Sequence, residues 1–518
     1  MYMTIGRIFD LAVQNYPNKE ALVEQAKGIR WTYAQWNEQV NKVANALLKA
    51  GVEKGDRVST YLYNTSEFVT TYFACMKIGA IFNPINYRLK AKEISYILTD
   101  AAPKVVIFEK AVEPVIQSIE KDFSAISFWY IEEDIPSYAA SYHEQVSIAS
   151  SQIEPITVDE MDFCSMMYTS GTTGHPKGVL HRHRDMVEHS LLCTYYIKYT
   201  RDSVGLIVAP LYHCGELHAG ILPRVHTGAK NVILHHFDTK QVLETIQEEK
   251  ITTFFSAPTM WNMLLQEDLS QYNLDSMKIG VYGGAAMAPS LVKECKERLH
   301  IDLVQIYGMT EMGPVICFLV EEDQLTKAGS AGKPTLNHEV RVVRPNEDDV
   351  SDPDDVLPPY EVGEIVVNGP CMMARYHNRE EATAKSIYKG WYRSGDLGYM
   401  DRDGYLYVAD RVDDMVISGG VNIYPREIED FLHGHEDVLD VAVLGEPDEL
   451  WGERVVAVIV KKNPSLTADE LDEYCKNSDA LADYKRPRHY SFVEELPRNA
   501  SGKLQKFVLR QMFAQPTN

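Results

Sequence analysis

The spacing of apolar residues predicts alternating helices and strands over the first part of the chain. Between positions 36 and 48 apolar side chains recur every three or four residues, which predicts a helix that ends near Gly51. The apolar run 58–62 predicts a strand, and helical spacing returns between Ser66 and Gly79. The run 105–108 again has strand length. This alternation is typical of βαβ units and predicts a mostly parallel sheet.

The alternation continues to residue 320 and then changes character. Strands are predicted at 205–209, 231–234, 252–256, 278–281 and 303–306, with a helix at 239–249. The Ser-rich stretch 137–156 has weak periodicity and is predicted as an irregular connection. From 320 to 410 glycine and proline become more frequent, and the alternating runs 339–343 and 363–367 predict an antiparallel subdomain.

A second domain is predicted beyond Arg411. Pro425 stands where a helix favours proline at its first position, and strands at 438–444 and 455–460 precede a helix at 466–475. The predicted fold is therefore α/β. A large N-terminal domain at 1–410 has mostly parallel sheets, helices and a small antiparallel, barrel-like subdomain. A hinge at 411–414 leads to a small, mobile α+β domain at 415–518, and two or more domains are also what 518 residues imply.

Charge and cysteine usage narrow the class of protein. The 74 acidic and 51 basic residues leave a net charge of −23, which argues against nucleic-acid binding. The eight cysteines contain no C-x-x-C pair, so reduced thiols and a cytoplasmic location are expected. The sequence has neither a signal-peptide pattern at its start nor an apolar run of membrane-spanning length.

The loop between residues 168 and 179 reads YTSGTTGHPKGV and follows a predicted strand. Glycines let a backbone approach an anion closely, hydroxyls donate hydrogen bonds, and a lysine adds a positive charge. The candidate phosphate-binding residues are Thr169, Ser170, Gly171, Thr172, Thr173, Gly174 and Lys177. The loop is not a P-loop, because Lys177 follows Pro176 and precedes Gly178. A simple surface turn is the alternative that this composition leaves open.

Further polar or small-residue strings follow predicted strands. One places His213 just past a strand end, where a structural histidine is the alternative. The candidates in the next two strings are Gly284, Ala285 and Ala286, then Tyr307, Gly308, Met309, Thr310 and Glu311. Small residues let a flat ring lie on the backbone, a tyrosine can stack on a base, and a glutamate can hold Mg²⁺. Asp396 and Arg411 could seat a ribose, and a turn aspartate is the alternative for Asp396.

In this order and spacing, the motifs resemble the AMP-forming acyl-CoA synthetases of the adenylate-forming superfamily. The resemblance extends over nearly the whole chain. The C-terminal part is similar to the branch that contains chlorobenzoate–CoA ligase and bacterial fatty-acid–CoA ligases. The resemblance implies three small-molecule partners, which are ATP with Mg²⁺, coenzyme A and a carboxylic acid. The net charge and the lack of a long apolar run predict no nucleic-acid partner and no membrane span. The oligomeric state stays open, with a homodimer as one option.

The resemblance also assigns roles to single residues. It implies that residues 169–177 hold the ATP phosphates, that Gly284, Ala285, Ala286 and Tyr307 frame adenine, and that Asp396 and Arg411 hold ribose. Thr310 and Glu311 would handle phosphate and Mg²⁺, Lys503 would be the adenylation lysine, and Asp413 the hinge residue. The implied coenzyme A site comprises Ser418, Gly419, Gly420, Trp451, Tyr484, Arg486 and Arg488. Arg88 is a weaker match to a phosphate contact, and Val421 replaces a glutamate of a relative.

The implied reaction joins an acid to coenzyme A through an acyl-adenylate. His213, Cys214 and Gly215 fall where the family places the acyl pocket and its gate. A medium- or long-chain fatty acid is the first expectation and an aryl acid the second. A stand-alone enzyme that loads a carrier protein is the competing enzyme class. A regulatory protein without turnover is a further alternative, against which the intact Lys177, Glu311, Asp396 and Lys503 argue.

Overall fold

The computed structural model describes residues 3–169, 176–284, 287–346, 350–411, 414–418, 421–448, 452–478, 481, 483–498 and 504–513. The chain divides into two compact units. The first comprises Met1–Glu339 with Asn368–Ile387, and the second Val340–Val367 with Tyr388–Asn518. The predicted hinge at 411–414 includes 412 and 413, which lie outside the described residues, and stays a prediction.

The elements before the glycine-rich loop are α1 (Ile5–Asn15), β1 (Glu20–Glu24), β2 (Ile29–Thr32), α2 (Tyr33–Lys49), β3 (Arg57–Tyr61), α3 (Ser66–Ile78), β4 (Ile81–Pro84), α4 (Ala91–Ala101), β5 (Val105–Phe108), α5 (Glu113–Ile119), β6 (Ser127–Tyr130), β7 (Ala140–Ser141), α6 (Tyr142–Ser147) and β8 (Phe163–Thr169). Those from 177 to 334 are β9 (Lys177–Arg182), α7 (His183–Tyr196), β10 (Val204–Ile207), α8 (Cys214–Glu216), a π-helical turn at Leu217–Ile221, α9 (Leu222–His226), β11 (Lys230–Ile233), α10 (Thr239–Glu249), β12 (Thr253–Ser256), α11 (Pro258–Leu265), β13 (Ile279–Gly283), α12 (Pro289–Leu299), β14 (Asp302–Tyr307), β15 (Cys317–Leu319) and β16 (Lys333–Pro334).

The remaining elements are β17 (Glu339–Val343), β18 (Gly363–Asn368), β19 (Arg375–Tyr376), α13 (Glu380–Ser386), β20 (Ile387–Tyr388), β21 (Trp391–Met400), β22 (Leu406–Arg411), β23 (Val416–Ser418), β24 (Val421–Ile423), α14 (Pro425–His433), β25 (Val438–Asp448), β26 (Gly452–Lys461), α15 (Ala468–Lys476), β27 (His489–Val493) and α16 (Lys506–Phe513).

Two mostly parallel sheets form the first unit, as the alternation predicts. One has the strand order β16-β15-β14-β13-β12-β10-β11-β1-β2, and only β15, β16 and β2 pair antiparallel in its described part. The other has the order β19-β9-β8-β4-β3-β5-β6-β7, with antiparallel pairing at β8–β9 and β9–β19. Strands such as β5 are buried along their whole length, which is why they read as continuous apolar runs.

Local sequence signals fix the helix ends around the core of this unit. Thr32 and Gln35 form a capping box at the start of α2, each side chain bonding the other's backbone N–H. Gly79 ends α3 with φ of +73°, a backbone conformation that suits glycine. The buried rings of Phe9 and Trp36 meet edge to face at 5.0 Å, so α1 and α2 pack through aromatic contacts.

The second unit contains the predicted small α+β region and also the antiparallel sheet, which the sequence pattern places in the N-terminal domain at 1–410. The first of its sheets runs β17-β18-β21-β20, with β22 also paired to β21. The C-terminal sheet runs β24-β23-β26-β25, with β27 parallel to β26. Ile428 and Leu432 of α14 lie in one core cluster with Val443 and Ile459. The predicted fold class is therefore confirmed.

The structure differs from the predicted pattern in two places. Residues 137–156 contain β7 and α6, where an irregular connection is expected. A six-residue helix is too short to show periodicity, and Ser141 starts it by accepting a hydrogen bond from the Glu144 N–H at 3.1 Å. Strands β25 and β26 also extend beyond their apolar runs, because backbone pairing continues to Asp448 and Gly452.

None of the helices in the described part of the chain combines the length and the apolar character that a membrane crossing requires.

Candidate active site

The glycine-rich loop connects two antiparallel neighbours, β8 and β9. Thr169 stands opposite Lys177 in the ladder, and Tyr168 stands opposite Gly178. The two ends of the loop are therefore neighbours in the sheet, and the two candidates that flank it, Thr169 and Lys177, are adjacent. The hydroxyl of Tyr168 donates to Asp100 at 2.7 Å, which anchors the base of this hairpin. The other five candidates of this loop lie outside the described residues; they are Ser170, Gly171, Thr172, Thr173 and Gly174.

Glu311 lies close to the base of this hairpin. It belongs to a single 3₁₀ turn, Thr310–Met312, that follows β14, and it is only 7% exposed. Its Oε1 accepts hydrogen bonds from the Tyr376 hydroxyl at 2.8 Å and the Thr169 hydroxyl at 3.5 Å. The structure thus brings together two candidates, Thr169 and Glu311, that are 142 positions apart.

Thr310 connects this turn to the predicted acid gate. Its hydroxyl lies 3.3 Å from the Cys214 sulfur, at the start of α8, and its carbonyl accepts from His181 Nε2 at 2.7 Å. Burial lowers the pKa of His181 to about 4, so this imidazole is neutral at pH 7. His213 caps α8, because its Nδ1 accepts the Gly215 N–H at 3.2 Å.

The proposed adenine-framing loops lie side by side. Gly283 of β13 stands opposite Ile306 of β14 in a parallel ladder, so both strands end at the same edge of the sheet. In open α/β sheets ligands bind at the carboxyl ends of the strands. Gly284 has φ of +80°, and a Cβ at Gly308 would lie 2.0 Å from the Pro314 carbonyl oxygen, so both positions require glycine. Tyr307 ends β14, Met309 follows Gly308, and Ala285 and Ala286 lie outside the described residues.

Asp396 and Arg411 belong to the second unit. They are direct partners in the β21–β22 ladder, and Asp396 is buried. Asp396 therefore lies within β21, directly after Gly395, whose φ is +70°. Its backbone N–H donates to the Ser394 hydroxyl at 3.0 Å.

The candidates for the coenzyme A site are only partly described. Ser418 ends β23, opposite Val421 of β24. Arg486 Nε donates to Asp483 Oδ1 at 3.0 Å, and Arg488 Nη2 donates to the Asp483 carbonyl at 2.9 Å. Three further candidates for this site lie outside the described residues, namely Gly419, Gly420 and Trp451. The predicted hinge residue Asp413 and the predicted adenylation lysine Lys503 also lie outside them. Tyr484 belongs to the turn Asp483–Lys485. The weaker candidate Arg88 donates its backbone N–H to the Asn86 side-chain oxygen at 2.9 Å.

Two residues of this site escape the sequence patterns. Tyr376 contacts Glu311, and His181 contacts Thr310. Tyr376 lies on β19, which has only two residues, and His181 lies in the buried middle of β9, so neither local sequence marks a special role. Long-range contacts of this kind become visible only in the fold.

A divalent cation fits the carboxylate of Glu311. Within the described residues, no group of three or more histidine, cysteine or acidic side chains forms a ready-made metal cage. Mg²⁺ is usually held by one or two carboxylates together with water and substrate phosphates. A buried glutamate beside a hydroxyl-rich, lysine-containing hairpin therefore has the donor chemistry for the magnesium of Mg·ATP.

Comparison with known proteins supports the same chemistry. Residues 9–377 match the family model described as AMP-binding enzyme, and residues 427–503 match the AMP-binding enzyme C-terminal domain. The long-chain-fatty-acid–CoA ligase FadD13 of Mycobacterium tuberculosis is 36% identical over 504 residues, 96% of each chain. A feruloyl-CoA synthase of Amycolatopsis is 35% identical over 489 residues, 94% of each chain. The crystal structure of the anthranilate CoA ligase AuaEII with anthranoyl-AMP has a TM-score of 0.90 at 29% identity, covering 99% of this chain and 97% of that one.

Proposed function

The chain belongs to the AMP-binding enzymes, and from that premise we propose that it activates a medium- or long-chain fatty acid for transfer to coenzyme A. It is an AMP-forming acyl-CoA synthetase, an acid–thiol ligase that uses ATP, Mg²⁺ and coenzyme A. The observation that carries the choice of acid is the similarity to FadD13 over almost the full length of both chains.

An aryl acid is the second candidate substrate. The feruloyl-CoA synthase is nearly as similar in sequence, and the structural neighbour with a TM-score of 0.90 is an anthranilate CoA ligase. Coenzyme A-dependent release of pyrophosphate, measured over C2–C18 and aryl acids, separates the two. If kcat/KM is highest for a fatty acid of eight or more carbons, the result supports the proposal. If kcat/KM is highest for an aryl acid, the aryl acid is the substrate and the fatty-acid proposal is wrong.

The proposed first step converts the acid to a mixed anhydride. A carboxylate oxygen attacks the α-phosphorus of ATP, the bond to the β-phosphate oxygen breaks, and pyrophosphate leaves. The hairpin residues Thr169 and Lys177 would hold the phosphates, and Glu311 would hold Mg²⁺. When bound, Mg²⁺ neutralises phosphate charge. Catalysis here consists of alignment and charge stabilisation, and the contact between Thr169 and Glu311 supports this grouping of residues.

The proposed second step transfers the acyl group. The thiolate of coenzyme A attacks the acyl carbon, AMP leaves with the carboxylate-derived oxygen, and the thioester forms. Seven residues are assigned to coenzyme A: Ser418, Gly419, Gly420, Trp451, Tyr484, Arg486 and Arg488. Asp396 and Arg411 are assigned to the ribose, and their direct pairing in the β21–β22 ladder supports that assignment. Gly284, Ala285, Ala286 and Tyr307 are assigned to adenine.

Two substitutions separate the steps. Lys503→Ala removes the charge that balances departing pyrophosphate, so acyl-AMP formation should fall about 10²–10³-fold while thioester formation from supplied acyl-AMP continues. Asp413→Pro fixes φ at the proposed hinge, so acyl-AMP should still form while its conversion to thioester slows. Equal losses in both half-reactions for either folded variant would contradict its assigned role.

A cytoplasmic location is proposed on the state of the cysteines. All eight are free thiols, and all eight are buried, as in proteins of a reducing compartment. Fluorescence microscopy of the tagged chain in its native cell, beside a secreted control, tests this location.

A further inference from the structure

Tyr376 contacts two residues of the proposed ATP site at once. Its hydroxyl donates to Glu311 Oε1 at 2.8 Å, and the Lys177 ammonium lies 4.6 Å from the centre of its ring. The tyrosine is 2% exposed, so its own ring and hydroxyl are shielded from bulk water, while Lys177 is half-buried. A single side chain therefore connects the proposed metal ligand with the proposed phosphate ligand.

The backbone on both sides holds this tyrosine in place. Tyr376 stands opposite Val179 in the β9–β19 ladder, and the His377 N–H donates to the Gly178 carbonyl at 2.7 Å. At the other end of the segment, the Met373 N–H donates to the Glu311 carbonyl at 2.7 Å. Residues 373–377 thus join the loop hairpin to the Thr310–Met312 turn, and the tyrosine projects from a fixed strand.

We infer that Tyr376 is a positioning residue for the adenylation step, an inference that rests on the roles proposed above for Glu311 and Lys177. A hydrogen bond to one carboxylate oxygen fixes the rotation of the carboxylate, which determines the direction of its electron pairs toward a cation. The face of the ring attracts the lysine ammonium and keeps it on the same side of the hairpin. Both groups are then oriented before Mg·ATP binds, so less conformational entropy is lost on binding.

The inference separates the hydroxyl from the ring. Tyr376→Phe keeps the ring beside Lys177 and removes the hydroxyl that donates to Glu311. Tyr376→Leu removes both contacts. Tyr33→Phe is the matched control, because the buried Tyr33 hydroxyl donates to the Ala229 carbonyl at 2.7 Å and contacts none of the proposed ATP ligands in the described part of the chain.

The test is equilibrium binding of a non-hydrolysable ATP analogue, titrated by calorimetry at several concentrations of free Mg²⁺, together with the two half-reactions. Tyr376→Phe should raise the Mg²⁺ requirement for nucleotide binding by about 10–100-fold, the usual effect of losing an outer partner of a metal ligand. Binding measured in EDTA should stay unchanged in Tyr376→Phe and weaken in Tyr376→Leu. Thioester formation from supplied acyl-AMP should continue in both, and Tyr33→Phe should match the wild type.

An unchanged Mg²⁺ requirement in folded Tyr376→Phe overturns the inference. An equal loss in both half-reactions, or the same loss in Tyr33→Phe, also overturns it, because either result indicates general destabilisation. The Glu311→Gln variant distinguishes a failure of the inference about Tyr376 from a failure of the role proposed for Glu311. If that variant leaves the Mg²⁺ requirement unchanged, the proposed role of Glu311 is wrong, whatever Tyr376 does.

Discussion

The Cys214 sulfur lies 3.3 Å from the Thr310 hydroxyl. Cys214 is the first residue of α8, directly after His213, and Thr310 precedes Glu311. The helix that begins at the proposed acid gate is therefore in contact with the turn proposed to handle phosphate. In the proposed mechanism, the reacting end of the acid and the residues proposed to select it share this packed region, so changes at this helix should alter activity according to the acid.

The residue facing this helix start is Phe255. A Cβ added at Gly215 would lie 3.1 Å from the ring of Phe255, closer than packed carbon atoms usually approach. Gly215→Ala should therefore push the ring into the proposed acyl pocket and lower kcat/KM for long acids more than for short ones. Phe255→Ala should shift the preference the other way. Overpacking changes free energies by about 1–3 kcal/mol, or roughly five- to 150-fold in rate.

Steady-state kinetics over acids of increasing length measure both variants. The Thr239→Ser variant on α10 serves as a folded control with an unchanged profile. Length profiles that coincide with the wild type in Gly215→Ala and Phe255→Ala would place the acyl pocket elsewhere in the first unit.

Glu216 and Arg224 form an ion pair that is fully buried. Arg224 also donates through Nε to Asn231 Oδ1 at 2.9 Å, and burial raises the pKa of Glu216 to about 7. Two glycines make room for the pair, since a Cβ at Gly205 would lie 2.3 Å from Arg224 Cδ and one at Gly220 would lie 2.5 Å from Glu216 Oε1. Neither charge reaches solvent.

Breaking this pair on one side should be costly. Arg224→Met leaves a buried carboxylate without its partner, and urea unfolding should show a loss of about 3–5 kcal/mol. The double variant Glu216→Leu/Arg224→Met should regain much of that loss, because both buried charges are removed. Arg298→Met, which breaks an exposed pair with Glu294 at 2.7 Å, should cost no more than about 1 kcal/mol. Similar losses for Arg224→Met and Arg298→Met would refute the burial argument.

Buried histidines should make the stability fall in mild acid. Burial lowers the pKa of His181, His183 and His338 to about 4 each and that of His189 to about 3, and it lowers the pKa of His218 well below its usual value. Between pH 6.5 and 4 the unfolded chain therefore binds protons that the folded chain does not, and stability decreases as pH falls.

Carboxyl groups with raised pKa values act in the opposite direction. Burial raises the pKa of Glu216 to about 7 and that of Asp185 to about 6, and it also raises the pKa of Glu24, Glu132 and Asp430, so the folded chain holds their protons more tightly. Because burial also lowers the pKa of His226 and His377, seven histidines oppose five carboxyl groups, and the slope of the unfolding free energy against pH should stay positive between pH 5.0 and 6.5. Urea unfolding at pH 6.5, 6.0, 5.5 and 5.0 measures it.

His218→Leu identifies one contributor to that slope. Both ring nitrogens of His218 are buried without a hydrogen-bond partner in the described part of the chain, so leucine should preserve or raise the free energy of unfolding at pH 7. The same variant should reduce the pH slope by about one proton. A slope that stays at the wild-type value would mean that His218 is protonated equally in both states.

Local elements follow from the sequence more closely than the site does. The helix predicted at 239–249 and the strand predicted at 105–108 are found with the same bounds. The helix buries one face, and the strand is a continuous apolar run that is buried throughout. The motif strings also identify Thr169, Lys177 and Glu311 as candidates. The contact of Tyr376 with Glu311 spans 65 positions and depends on how β19 pairs with β9, which no local pattern encodes.

The path of the acid's oxygen tests the adenylate mechanism most directly. The acid is labelled with ¹⁸O in both carboxylate oxygens and incubated with ATP, Mg²⁺ and coenzyme A, and the products are analysed by mass spectrometry. Attack by the carboxylate on the α-phosphorus, followed by thiolate attack on the acyl carbon, predicts AMP that carries one ¹⁸O, thioester that keeps the other, and unlabelled pyrophosphate. Unlabelled AMP, or label in a released phosphate, would contradict an acyl-adenylate intermediate.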